Sequence, residues 1–208
     1  MSSAYQYARF AAALEGLRDV WYVPAPGFVT GELLPNSVEV VTRTFADIIV
    51  AFADGAPFAL AGHSAGGWLT YAVTRYLEDR GVFPEAAVAM DAYLPDEGMA
   101  PVAGALTSEI FDRVTEFVDV DYTRLTAMGA YFRIFSGWRP PEIVTPALFL
   151  RGRDGEQQPP VWGTPHTVHD IEGNHFTMLE GYAEGTARYV HAWLTGLTDR
   201  NEGTDEGQ

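Results

Sequence analysis

The chain is 208 residues long, has no cysteine and no lysine, and sets 13 arginines against 28 acidic residues for a formal charge of −15. Without cysteine there are no disulfides, thiolate chemistry or Cys-based metal sites, and without lysine no Walker-type phosphate loop, pyridoxal Schiff base or lysine nucleophile. The acidic balance disfavours nucleic acid, whose phosphates a partner must neutralise, and no apolar run approaches the roughly 20 residues that cross a bilayer.

The first residues do not read as a signal peptide, and a cytoplasmic location is expected. Phe10, Leu14 and Leu17 lie on one face of a predicted helix over about Tyr5 to Leu17. Asp19–Val23 reads as a strand ending at Pro24-Ala25-Pro26-Gly27. Asn36 or Ser37 caps the next helix, striped by Val38, Val41, Phe45, Ile48, Ile49 and Phe52. Pro57–Ala61 is short and apolar, like a buried parallel strand. After Gly62-His63-Ser64-Ala65-Gly66, helical spacing resumes through Trp68, Leu69, Ala72, Val73, Tyr76 and Leu77. Ala86–Met90 is the next strand and delivers Asp91 at its end.

From about 96 to 141 the pattern changes to two helical stretches, Leu106–Val118 and Asp121–Phe135, with no strand between them. An insertion of this size over one end of an α/β sheet predicts a lid. Thr145–Leu150 and His166–Ile171 resume the strand pattern, and a last helix is expected over Thr177–Leu194. Residues 196–208 are polar and acidic and are expected to be disordered. One domain over 1–195 follows, with a mostly parallel sheet and helices on both faces.

The chemistry centres on Ser64. A strand, G-x-S-x-G and a helix in this order form the context of a nucleophile elbow, which presents a serine hydroxyl at the carboxyl end of a sheet. That hydroxyl needs a base, and the base an orienting acid. Of the five histidines, His63 adjoins the serine and should point away from it as a structural residue. His166 and His169 face opposite sides of a strand, which disfavours a shared metal. His191 lies within the last helix. His175, in the loop Gly173-Asn174-His175-Phe176 after the last strand, sits where the order Ser…Asp…His puts the base. Asp91 and Asp154 both follow strands, and spacing does not choose between them.

The runs Gly62–Gly67, Met90-Asp91-Ala92-Tyr93-Leu94-Pro95, Thr123–Tyr131 and Gly173-Asn174-His175-Phe176-Thr177-Met178, with Val23–Gly27 and Leu33-Leu34-Pro35, resemble the terminal thioesterase domain of modular type I polyketide synthases, of the macrolide-forming kind. The resemblance implies the α/β-hydrolase fold and selects Asp91 as the acid beside Ser64 and His175. It implies transfer of an acyl chain from an acyl carrier protein to Ser64, then release as a macrolactone or free acid. Ala65 would supply an oxyanion-hole amide, and Tyr93 would line the substrate channel. No cofactor or metal is expected, since the acyl group arrives on the carrier's phosphopantetheine.

The family's first strand and Gly-rich loop have no counterpart in this sequence, which leaves Ala65 as the one identifiable oxyanion donor. The upstream helices through which the family pairs are not recognised in this sequence either, and a homodimer is carried only as what the resemblance implies. A discrete editing thioesterase or carboxylesterase of the same fold, and a catalytically impaired docking module, are the alternative readings.

Overall fold

The computed structural model describes residues 4–94, 122–154 and 162–205, with side chains given up to residue 198. A 3-10 turn, Ala4–Tyr7, leads into α1 (Ala8–Ala13); then come α2 (Val38–Ala53), β1 (Ala59–His63), α3 (Ala65–Glu78), β2 (Ala86–Met90), α4 (Tyr122–Ile134), β3 (Ala147–Gly152), β4 (Thr167–Ile171), a 3-10 turn (Thr177–Leu179) and α5 (Ala183–Asp205). The strands form one parallel sheet in the order β1-β2-β3-β4.

The two-residue period of the strands divides the core. Ala87, Ala89, Ala147 and Phe149 pack with Val41, Phe45, Trp68, Leu69, Tyr131 and Phe135 from α2, α3 and the α4 region. The alternate residues Val88, Met90, Leu148 and Leu150 pack with Phe10, Leu14, Met178, Ala187 and Val190 on the other face. Helices therefore cover both faces, and β2 is buried along its whole length, as a central parallel strand must be. Ser37 caps α2 by accepting the Val40 N–H at 3.3 Å, which settles the choice between Asn36 and Ser37.

Four expectations are corrected. The first helix does not run from Tyr5 to Leu17: Gly16 takes a left-handed φ of +74°, and the Leu17 and Arg18 amides fold back onto the Leu14 carbonyl, a glycine-dependent stop. Asp19–Val23 is not a strand. No strand among the described residues pairs with it, and an extended segment without a ladder neighbour leaves its side chains in solvent, Trp21 at 72% exposure. The last helix is split, since residues 177–179 form a separate 3-10 turn before α5 begins. Of the tail expected to be disordered, α5 takes in residues up to Asp205, while 206–208 lie outside the described residues. Extending an existing helix needs no new nucleus, and each interior glycine, Gly196 and Gly203 in this stretch, costs only about 1 kcal/mol.

The second lid stretch is α4. It is tied down by the Tyr131 hydroxyl, which donates to the Pro26 carbonyl at 3.1 Å, and by Phe132, whose ring meets Trp68 edge-on. The first lid stretch, Leu106–Val118, lies outside the described residues.

Candidate active site

The strand β1 ends at His63 and α3 begins at Ala65, so Ser64 alone makes the turn between them, at φ +56° and ψ −129°. A non-glycine residue held at such angles is strained by about 1–3 kcal/mol, and the surroundings must enforce it. They do: the Ser64 N–H donates to the Met90 carbonyl at 2.9 Å, and the Ser64 carbonyl accepts the Gly67 N–H at 2.9 Å. A Cβ on Gly62 would strike the Gly66 carbonyl and the Thr70 hydroxyl. Gly62 is thus what lets the helix turn back so closely. Gly66 would meet only the Tyr7 hydroxyl, at 3.7 Å, and its absence of a side chain matters little.

Ala65 is the first residue of α3, and an amide in the first turn of a helix has no acceptor within it. It therefore lies beside Ser64 at the helix end, with no partner inside α3. The sequence expectation for Ala65 concerned this backbone group.

Asp91 follows β2, the strand paired with β1, with His63 opposite Met90 in register. It too has a positive φ, +46°, and it is 2% exposed. Its carboxylate has three donors. His175 Nδ1 lies 2.7 Å from Oδ2, the Tyr93 hydroxyl donates to Oδ2 at 3.1 Å, and the Gly152 N–H donates to Oδ1 at 3.2 Å. Burial pushes the Asp91 pKa up, but the bonds from His175 and Gly152 outweigh it and hold the carboxyl below its ordinary value. The group is kept as an anion in the protein interior.

His175 is held by its loop. The Asn174 side chain accepts the Phe176 and Thr177 amides at 3.0 and 3.1 Å, while the Thr177 hydroxyl accepts the Asn174 N–H at 2.8 Å. This reciprocal cap opens the 3-10 turn and sets His175 over Asp91. Since the bond to the carboxylate uses Nδ1 as donor, the neutral ring presents Nε2 as an acceptor.

Asp91 and His175 are thus brought together. Ser64 shares the strand-end region with them through its Met90 contact, but no hydrogen bond among the described residues joins Ser64 to the His175 ring. Asp154, the competing acid, is exposed, and its main-chain N–H bonds the Gly173 carbonyl at 3.0 Å. His166 bonds the Thr164 carbonyl, His169 stacks on Tyr189, and His191 accepts from Arg18. None of these three approaches the Asp91 carboxylate by a hydrogen bond.

Two things escaped the sequence. Tyr93 was expected as a wall, and its hydroxyl is a ligand of the Asp91 carboxylate. His63 is buried, but its ring lies against His175, with centroids 4.5 Å apart. It also reaches Gln6, 57 positions earlier, at 3.2 Å, a contact that no local pattern announces.

A parallel sheet with a strained serine between strand and helix defines the α/β-hydrolase class. The model of the Thioesterase domain family matches residues 1–194, and the chain belongs to that family. It is similar to polyketide synthase GfsE of Streptomyces halstedii, with 40% identity over 95% of this chain and 5% of that one. It is likewise similar to erythronolide synthase EryA3 of Saccharopolyspora erythraea, with 38% identity over 94% of this chain and 6% of that one. The chain thus spans about a twentieth of the length of these synthases. The RedJ thioesterase from the prodiginine pathway of Streptomyces coelicolor has the same fold, with a TM-score of 0.72 at 18% identity over 92% of this chain and 85% of that one.

Proposed function

We propose that this domain is a serine thioesterase that releases a polyketide chain from an acyl carrier protein through an acyl-Ser64 intermediate. Its relatives include polyketide synthase GfsE and erythronolide synthase EryA3, in keeping with the release from a carrier that the sequence resemblance implies. The observation that carries the reading for these residues is the 2.7 Å bond between His175 Nδ1 and the buried Asp91 carboxylate, beside a serine held at elbow angles.

Ser64 Oγ attacks the thioester carbonyl while His175 Nε2 takes its proton. The anionic oxygen of the tetrahedral adduct is met by the Ala65 N–H. Collapse breaks the carbon–sulfur bond, and His175 returns the proton to the departing phosphopantetheine sulfur. In the second half, a hydroxyl of the chain or a water molecule gives its proton to His175 and attacks the ester. Ser64 Oγ then leaves with that proton, and the product is a macrolactone or an acid. Asp91 orients His175 and stabilises the imidazolium that forms twice. Rotation of the Ser64 side chain completes the relay while His175 stays on Asp91, since such contacts often tighten only with substrate in place. Tyr93 and α4 contribute walls of the acyl channel.

Mass spectrometry after incubation with an acyl-N-acetylcysteamine thioester tests this. An acyl adduct is expected on the natural sequence and not on the Ser64→Ala variant. An adduct of equal yield on Ser64→Ala would refute the nucleophile. Failure of folded protein to react with a fluorophosphonate would favour a docking role over an enzyme.

A further inference from the structure

The mechanism above makes no use of His63, which is 3% exposed and immediately precedes Ser64. Its Nε2 lies 2.6 Å from the main-chain carbonyl of His175. A carbonyl only accepts, so Nε2 carries a proton. Its Nδ1 lies 3.2 Å from the Gln6 side-chain nitrogen. An amide nitrogen only donates, so Nδ1 carries none. Both ring nitrogens are satisfied in one neutral tautomer. The residue's own main-chain N–H is taken by the Tyr7 hydroxyl at 3.2 Å. We propose that His63 is a positioning residue for the proposed catalytic base: its Nε2–H holds the His175 carbonyl and so fixes the His175 ring against Asp91 and toward Ser64.

The path is short. One end of the strut is bonded covalently to the nucleophile's residue, the other grips the base's own main chain. A shift of the Gly173–Phe176 loop would therefore be opposed at the residue next to Ser64. The capping bonds of Asn174 hold the loop to the following turn but not to β1, so they do not replace this link. Neutrality matters as well. With ring centroids 4.5 Å apart, a charge on His63 would oppose the charge that His175 acquires on taking a proton. Burial, and then the nearness of His175, push the His63 pKa down to about 3, in keeping with the tautomer that the two partners select.

The inference rests on the thioesterase reading, and the test separates the two. Three variants serve: His63→Phe keeps the bulk without a donor, His63→Gln keeps an amide donor, and Gln6→Leu removes the tautomer's second partner. Each is assayed for kcat and KM with an acyl-N-acetylcysteamine thioester, below its measured unfolding temperature. Proton NMR of each follows the low-field His175 Nδ1–H signal. His63→Phe is expected to lower kcat by about 100-fold, as a small misplacement of a reacting group does, with KM little changed. It should also broaden or shift the low-field signal. His63→Gln should recover most of the rate and the signal, and Gln6→Leu should lose rate in the same direction to a smaller extent.

A folded His63→Phe protein with unchanged kcat and signal would overturn the proposal. So would His63→Gln behaving no better than His63→Phe. If His63→Phe does not fold, Gln6→Leu with unaltered rate and signal decides against it. Absence of turnover by the natural sequence would sink the thioesterase reading instead, and the NMR arm would still report on the strut.

Discussion

Ser64 and Asp91 end neighbouring parallel strands with the same kind of distortion, φ of +56° and +46°, and the Ser64 N–H is bonded to Met90, the residue before Asp91. The two strained positions therefore brace each other, and the carboxylate is aimed by the same strand end that holds the serine's main chain. Asp91→Asn would keep the shape but present an amide to His175 Nδ1, favouring the wrong tautomer. Acyl-enzyme formation should fall by about 10⁴-fold. Asp154→Asn, at an exposed side chain, should change kcat/KM by less than about twofold. Parallel steady-state assays check both, and a large loss in Asp154→Asn alone would reverse the assignment.

The two glycines flanking the elbow are not equivalent. Gly62→Ala puts a Cβ into the Gly66 carbonyl, which is backbone and has no rotamer to yield. A loss of about 3 kcal/mol in unfolding free energy is expected, at the upper end of what overpacking costs. Gly66→Ala meets only the Tyr7 hydroxyl at an ordinary van der Waals distance of 3.7 Å and gains helix propensity, so its stability should be unchanged or higher by up to about 1 kcal/mol. Urea unfolding followed by tryptophan fluorescence measures the pair. Equal destabilisation would contradict the geometry.

What the sequence made legible follows from how local each signal is. Ser64 and His175 stood out because motif and flanking elements lie within a few residues of each. Strand β2 was legible end to end, since a buried parallel strand is a continuous apolar run. Asp91 and Asp154 could not be separated by spacing. What distinguishes them is burial and the Gly152 amide from the next strand, both tertiary facts. Asp19–Val23 carries the composition of a strand, but composition does not supply a pairing neighbour. The Gln6–His63 contact and the Tyr7–His63 contact join distant segments, and neither Gln6 nor Tyr7 carries a pattern of its own.

Tyr93 adds a neutral donor to a carboxylate that already has two. Tyr93→Phe removes that bond and leaves the ring, whose centroid is 6.1 Å from that of His175. The loss is about 1 kcal/mol, equivalent to a roughly fivefold fall in kcat, far short of the loss in Asp91→Asn. If Tyr93 served only as a wall, KM for long acyl thioesters would move and kcat would not. Comparing short and long acyl chains distinguishes the two roles.

The buried His63 also sets a stability profile. Its pKa falls from 6.5 in the open chain to about 3 in the fold, so between those values the unfolded state binds a proton that the folded state refuses. Stability is therefore full above about pH 6.5 and drops as pH falls toward 3, by about 1.4 kcal/mol per pH unit. Asp91, with a lowered pKa, acts with the same sign but only below the ordinary carboxylate range. From pH 7 to pH 5 the His63 contribution amounts to about 2 kcal/mol. Urea unfolding of the natural sequence and of His63→Phe at both pH values isolates it. The variant should lose about 2 kcal/mol less on acidification. Parallel losses would mean that His63 is protonated within the fold, and the neutral tautomer bonded to His175 and Gln6 could not then be correct.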